Sequence, residues 1–289
     1  MIKDFEYFAP KTLKEALTLL DKYQDEGKII CGGQSLLILM RQGLVAPKYL
    51  IDIKGLSELN YIKDAKEGLR LGATTTHRAI EKSPLIQKKY SVLAEMERRL
   101  ASIQTRNWGS IGGNVCHGDP AGDPAPVLMA LNATLTTTSL KGERNMAVED
   151  FCLDYFETAL KPGELLTEIQ IPAVPPRTGT AYTKFNVIES DLATVGVAVS
   201  VTLGSGDGVC QEVRIALGAS APTPMRAKKA EAVLKGKKLT DNLLAEAGEV
   251  ASTEAEPISD IYASAEYRRE LVKVLVRRVA KEALARAKA

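Results

Sequence analysis

Apolar positions in the opening stretch switch between helical and extended spacing. Leu13, Ala16, Leu17, Leu19 and Leu20 recur at helical offsets, and Thr12 with Glu15 three residues later has the form of a capping box. This predicts a helix that is spent by Gly27. Residues 28–31 are a short apolar strand, Gly32-Gly33-Gln34-Ser35 a tight turn, and 36–41 the start of a second helix. Residues 49–53 read as another strand, closing a compact unit of alternating helix and strand near residue 58.

The pattern beyond it is mixed. Residues 60–62 and 69–73 flank a polar turn at 63–68, a hairpin signal. A charged helix at 91–101 carries Leu93, Met96, Glu97 and Leu100 at helical offsets. A second glycine turn follows, Ser110-Ile111-Gly112-Gly113-Asn114, then β-branched residues 134–138, a turn at Lys141-Gly142, and a strand at 165–171 stopped by Pro172. The segment 172–179, rich in Pro and Gly, reads as a linker. After it, β-rich runs at 195–203 and 209–217 are joined by the glycine turn 204–208, and from Arg226 the chain is helical, ending in a long basic helix from Ala265. The expected division is a domain at 1–176, with subdomains of about 1–58 and 59–176, and a smaller one at 177–289.

Composition narrows the function classes. The 289 residues carry Lys+Arg 38 against Asp+Glu 36, a formal net charge of +2, which gives no electrostatic ground for a nucleic-acid or membrane-surface partner. The rings, 5% of residues, are scattered rather than set among basic side chains. No run reaches the roughly 20 apolar residues of a membrane span, and the charged start of the chain lacks the apolar core of a signal peptide, so a cytoplasmic location is expected. Cys31, Cys116, Cys152 and Cys210 form no C-x-x-C pair, and only His77 and His117 are available to complete a metal site. Close ligand pairs are what a short loop needs to wrap an ion, so no metal or cluster is expected within this chain.

The glycine turns carry the chemistry. A strand that runs through Gly-Gly-polar into a helix points several N–H groups outward, and glycine allows both the positive φ and the close approach of an anion. The helix behind adds its dipole. Taken singly, each turn reads more readily as a plain turn than as an anion nest, because glycine is the default turn residue. Two nests in one fold suit a pyrophosphate, with its two linked charges, better than a single phosphate. Neither turn matches G-x-G-x-x-G or G-x-x-x-x-G-K-(S/T), so a Rossmann site or a P-loop is not supported.

At these turns the sequence resembles a known family. Cys31-Gly32-Gly33-Gln34-Ser35-Leu36-Leu37 is similar to the A-G-G-(Q/H)-S-L signature of the FAD-binding medium subunits of molybdenum hydroxylases. Residues 105–114, Thr-Arg-Asn-Trp-Gly-Ser-Ile-Gly-Gly-Asn, resemble that family's I-R-N-x-G-T-(I/L)-G-G-N, and the stretch from His117 through Asp119 to Asp123-Pro124 its H-A-D-P-A-A-(D/E). The likeness extends over essentially the whole chain, through Gly72-Ala73-Thr74-Thr75-Thr76-His77, Gly163-Glu164-Leu165-Leu166 and Leu217-Gly218-Ala219.

The resemblance implies an α+β fold: a PCMH/vanillyl-alcohol-oxidase-type FAD-binding domain of two α/β subdomains, followed by a small C-terminal α/β domain of sheet plus helices. Carried over by position, Cys31, Gly32, Gly33, Gln34, Ser35 and Leu36 cradle the FAD pyrophosphate with Ser110, Ile111, Gly112, Gly113 and Asn114. Asp123 falls where an acid binds ribityl or ribose hydroxyls, Leu166 where an apolar residue packs on the flavin, and Lys184 where a cation lies near the ring and tunes its potential. Cys31 replaces the usual alanine and Ser110 the usual threonine. Glu189-Ser190-Asp191-Leu192-Ala193 stands where many relatives have G-D-(Y/F)-A, so Leu192 takes the place of an aromatic that shields the flavin in some members.

What this implies for function is noncovalent FAD in an electron-transfer subunit, part of a heterohexamer. A molybdenum-cofactor large subunit oxidises substrate, a small 2Fe–2S subunit relays electrons, and this chain passes them to NAD, a quinone, oxygen or a carrier protein. No catalytic dyad or nucleophile stands out, as expected of a relay. Two rival readings are a stand-alone flavin oxidase of the PCMH fold and a scaffold without FAD. The first has little wall for a substrate pocket in so short a chain, and the second sits poorly with intact glycine turns, Asn114 and Asp123. Gln34, where carbon monoxide enzymes often have histidine, tilts the complex's substrate toward heterocycles or aldehydes. His77 has the options of helix cap, satisfied polar residue or flavin anchor. His117 is a phosphate contact or filler, Asp119 an N-cap before Pro120, and Trp108 packing or interface. The basic helix with Arg268, Arg269, Lys273, Arg277 and Arg278 reads as a solvated face.

Overall fold

The computed structural model describes residues 2–206 and 208–289. Its first layer is a three-stranded parallel sheet in which Tyr49–Asp52 lies between Glu6–Phe8 and Gly27–Ile30. Parallel strands need crossovers, and helices Leu13–Tyr23 and Leu36–Gln42 provide them. Thr12 caps the first helix by accepting from Glu15 N, while Glu15 reaches back to Lys11 N, one residue earlier than a capping box requires. The small core under this sheet gathers Ala16, Leu17, Leu20, Ile51, Leu56 and Leu59 with Leu165 from the next layer.

The second layer is a five-stranded antiparallel sheet in the order Ile62–Ala65, Gly68–Gly72, Leu165–Pro172, Thr134–Ser139, Gly142–Ala147. The hairpin expected with a turn at 63–68 is tighter: its strands pair Ala65 with Gly68, so the turn is Lys66-Glu67 alone. A polar strand such as Ile62–Ala65 pairs because its neighbour buries the apolar face for both. Helices His77–Lys82, Pro84–Lys89, Ser91–Arg99, Ile103–Trp108, Ile111–His117 and Pro124–Ala130 cover one face of the sheet around the largest core, which includes Leu71, Ile80, Leu93, Met96, Ile111, Leu128 and Phe151.

The third layer is a four-stranded antiparallel sheet, Thr178–Phe185, Val195–Leu203, Cys210–Gly218 and Met225–Arg226 in sequence order, backed by Lys228–Leu234, Asp241–Glu254 and Ala265–Lys288. Its first strand starts inside the segment read as a linker, and the 204–208 turn contains Asp207, outside the described residues. The Val-rich strand Val195–Leu203 is buried on both faces, against the helices on one side and helix Pro124–Ala130 on the other. One element departs from the expected solvated basic face. Arg268 is 5% exposed and its guanidinium holds Thr194 O, Ala219 O and Asp260, so it is part of the joint between sheet and helix.

The closest packing in this layer is at Gly179, where a Cβ would run into the main chain of Ala283 and Ala287 in the C-terminal helix. Backbone cannot yield as a side chain does. Gly179→Ala is expected to cost about 1–3 kcal/mol, measured as a lower urea midpoint with unchanged m-value.

Candidate functional site

The two glycine segments meet. Gly32 lies so close to Trp108 and Gly109 that a Cβ at Gly32 would overlap Trp108 O, and Gln34 Cγ would be 3.5 Å from a Cβ on Gly109. The Ser110 hydroxyl reaches the Cys31 thiol, a contact that offsets part of the rise that burial imposes on that thiol's pKa. Five helices and three strands separate these segments in sequence; strand Gly27–Ile30 and helix Ile103–Trp108 deliver them to one place.

The first segment is the turn expected of it. Gly33 has φ +69°, a region that favours glycine, and Gln34 Nε2 donates to Gly32 O at 3.0 Å. The main-chain N–H groups of Gly32, Gly33, Gln34 and Ser35 donate to no acceptor among the described residues. Such a row of unmet donors at the head of helix Leu36–Gln42 is an anion nest.

The second segment is built differently from the expected strand-turn-helix. A helix, Ile103–Trp108, precedes it, and Gly112 and Gly113 lie within helix Ile111–His117, with Ser110 as its N-cap accepting from Gly113 N at 3.2 Å. The hydroxyl of Ser110 supplies the first-turn bond that lets two glycines remain helical. Gly112 is jammed against Ala73, to whose carbonyl it donates, while Ile111 N donates to Thr75 O. Gly113 faces outward, and a Cβ there would meet only Ser110 Oγ. A Cβ there would crowd only that hydroxyl, which can rotate away, and its absence leaves the helix N-terminus open to a ligand. Thr74, between these two contacts, keeps a buried Oγ1 with no partner among the described residues.

Below the turns lies a cluster of buried charges. Asp123, at the head of helix Pro124–Ala130, accepts from Tyr182 Oη at 2.6 Å and from Lys184 Nζ at 2.7 Å. Lys184 Nζ also donates to Asp191 O. Burial pushes the Asp123 carboxyl pKa up, and the Lys184 ammonium pulls against it. Asp123 thus presents both oxygens to the C-terminal sheet. Leu166 is buried in the central core at a register shift of its strand, and the next residue's carbonyl accepts from Ala73 N beside Gly112. His77 opens helix His77–Lys82, which Thr76 caps; its N–H donates to Gly109 O and its Nδ1 lies 2.8 Å from Glu97 Oε2. Glu97 is fully buried, its pKa raised by desolvation, with Oε1 unpartnered among the described residues.

Some of these residues had a signal in the sequence and others a misleading one. Tyr182 and Lys184, two apart on a strand, had to share a face. Glu97 on an apolar helix stripe pointed to a buried partner. Arg106 does less visible work: from within the second signature it binds Leu100 O, Ala101 O and Glu81, fixing the end of helix Ser91–Arg99. Asp119 is not an N-cap; its carboxylate accepts from Ala121 N in a local turn three residues before the helix begins at Pro124. His117 packs its ring on Phe156, and Trp108 is 56% exposed under the Lys54 ammonium.

Two tests follow from this geometry. Gly32→Ala is expected to lower thermal stability while Gly113→Ala leaves it nearly unchanged, since only the former meets backbone. Asp123→Ala strands a buried ammonium and is expected to cost about 3–5 kcal/mol in urea unfolding; Asp123→Leu combined with Lys184→Met should cost less than the single change.

Comparison with known proteins gives the architecture a family. Residues 3–174 match the family model described as FAD binding domain in molybdopterin dehydrogenase, and residues 180–283 that of the CO dehydrogenase flavoprotein C-terminal domain. The glyceraldehyde dehydrogenase medium chain of Sulfolobus acidocaldarius is 34% identical over 96% of this chain and 98% of its own. The nicotine 6-hydroxylase medium subunit of Paenarthrobacter nicotinovorans is 36% identical over 97% of each. Among solved structures, carbon monoxide dehydrogenase from Hydrogenophaga pseudoflava superimposes with TM-score 0.96 at 35% identity over 99% of both chains, and quinoline 2-oxidoreductase from Pseudomonas putida 86 with TM-score 0.92 at 32% identity over the whole of both. The fold is the α+β arrangement expected, and the open nest, the outward Gly113 and the orphaned Thr74 hydroxyl suit a dinucleotide. The chain belongs to the FAD-binding medium-subunit family of the molybdopterin dehydrogenases, and it is an oxidoreductase flavoprotein subunit whose cofactor is FAD.

Proposed function

We propose that this chain is the electron outlet of a molybdenum hydroxylase complex, taking electrons from a 2Fe–2S subunit whose partner large subunit oxidises the substrate, and passing them to an external acceptor. The observation that carries the reading is the convergence of two glycine segments, with four N–H donors unmet among the described residues, beside an open helix N-terminus. FAD, when bound, supplies the ability to take electrons singly and release them singly or in pairs.

The chain's own residues bind and tune. The N–H groups from Gly32 to Ser35 and the helix head at Ser110, Gly113 and Asn114 hold a pyrophosphate. Gly32 instead lets the two segments approach, and Gly112 lets the second segment pack against Ala73. Lys184 keeps a positive charge within the buried cluster, where it stabilises negative charge on a nearby ring, and Asp123 positions it. The loop carrying the exposed Leu192 supplies apolar surface, while Leu166 is buried in the central core. The domain boundary belongs near residue 176, where the last strand of the five-stranded sheet hands over to the C-terminal sheet.

The absorption spectrum of natively purified protein is expected to show oxidised flavin that heat releases into the supernatant as FAD, with iron and molybdenum copurifying. Gly113→Ala should weaken FAD binding without lowering stability of the apo-protein. Flavin that stays with the heat precipitate, or protein that takes up none, would each overturn this reading.

A further inference from the structure

Two buried ionisable side chains stand beside the glycine segments without contributing to the main-chain nest. His77 is 2% exposed and Glu97 0%, and His77 Nδ1 lies 2.8 Å from Glu97 Oε2. The other edge of the imidazole faces the place where the two segments meet. A Cβ on Gly109 would lie 3.1 Å from His77 Cδ2 and 3.5 Å from Gln34 Cγ, so ring and nest border the same gap. Nε2, the atom bonded to Cδ2, has no hydrogen-bond partner among the described residues, yet it is not sealed in as Thr74 Oγ1 and Glu97 Oε1 are. A ring nitrogen held in a core but open on one side is free to bind a ligand.

The groups around the pair define what it can bind. Glu97 on helix Ser91–Arg99 occupies Nδ1, and Asp123 at the head of helix Pro124–Ala130 is close enough to feel a charge on the ring. Arg106 on helix Ile103–Trp108 lies near Glu97 but is committed to Glu81, Leu100 O and Ala101 O. On the ring's own helix Arg78 is paired with Glu81, and Lys88 and Lys89 of helix Pro84–Lys89 are exposed. No lysine or arginine is thus left to meet an anion at Nε2 from these helices, among the described residues. A neutral imidazole that donates from Nδ1 has only a lone pair at Nε2, whereas the imidazolium donates from both nitrogens. An anion in the gap therefore needs the ring in its charged form.

We propose that His77 is a pyrophosphate-binding residue of the cofactor site, its Nε2–H donating to a phosphate oxygen of FAD, and that Glu97 is a positioning residue that fixes the ring through Nδ1. The proposal rests on the FAD reading of the glycine segments and adds to it a side chain that couples cofactor binding to a proton taken from solvent. Main-chain donors serve the anion at any pH, but His77 serves it only while doubly protonated. Affinity for FAD is then highest with the ring charged and falls as rising pH removes that proton. On the acid side Glu97 also takes part: burial raises its carboxyl pKa, a charge on His77 pulls against this, and the two groups titrate as a pair.

The test is titration of the full-length apo-protein with FAD, read by quenching of flavin fluorescence, from about pH 5 to pH 9, a range that brackets the charge change of a histidine. The dissociation constant of the wild type is expected to rise by up to about tenfold per pH unit above its midpoint, as the release of one proton requires. His77→Gln keeps a donor near Nε2 without a charge; it should bind more weakly at the acid end and show no such rise. Glu97→Gln keeps an acceptor for Nδ1–H but removes the negative charge, so the midpoint should move to lower pH. A Glu97 that only fills space would leave it in place, and that result would overturn the positioning role. The FAD-loaded wild type gives a check that needs no variant to fold: the phosphorus NMR resonances of its pyrophosphate should shift with the same midpoint. Affinity and resonances indifferent to pH, or a pH dependence that survives His77→Gln, would overturn the proposal and leave the flavin reading standing. Protein that takes up no FAD at any pH would overturn both.

Discussion

The bond between Asp123 and Lys184 joins the two halves of this protein, and much of the remaining arrangement depends on it. Both groups are nine-tenths buried or more, so each would be costly alone. Together with Tyr182 they satisfy one another: the carboxylate accepts two strong hydrogen bonds and the ammonium donates to a second acceptor, Asp191 O. The carboxylate also sits at the head of helix Pro124–Ala130, where the helix dipole favours negative charge. Around this bond the domains close by backbone contact. Ala219 N donates to Pro120 O, and Gly218 leaves room for the Pro126 ring.

That joint sets the geography of function. On one side it supports helix Pro124–Ala130, which packs with Ile111–His117 and so steadies the helix whose N-terminus completes the nest. On the other it anchors the loop from Asn186 to Thr194 through Asp191. One buried cation thus links helix Pro124–Ala130 to that loop. Its charge acts over short range in a medium of low dielectric, where a fixed ammonium influences a neighbouring ring far more than it would in water.

The glycines divide by what surrounds them. Gly32, Gly112, Gly179 and Gly218 are small because other protein atoms press on them, and Gly33 because its φ is positive. Gly113 is crowded only by the hydroxyl of its own N-cap, which can rotate away, so packing constrains it least and it faces the open side. A motif written as Gly-Gly conceals this difference, since adjacent residues in a helix point about 100° apart: Gly112 inward to Ala73, Gly113 outward.

Sequence alone determined the elements whose signals are local. Helix Leu13–Tyr23 followed from apolar spacing and Thr12, strand Val195–Leu203 from its β-branched run, and the first nest from Gly32-Gly33 between strand and helix. The family was legible too, because its two signatures are contiguous stretches of chain. Tertiary structure decided what depends on partners distant in sequence. Ser110 as a helix cap, rather than part of a turn, requires the strip from Ala73 to Thr76 beside it. Arg268 carries the chemistry of a surface residue, yet it is buried, and only its partners, Asp260 with two carbonyls, explain it. Asp123 was legible as important, but whether its oxygens face a groove or another domain is settled by the position of Lys184, 61 residues on. Short-range periodicity records which side of an element is apolar; which charge meets which is a property of the closed fold.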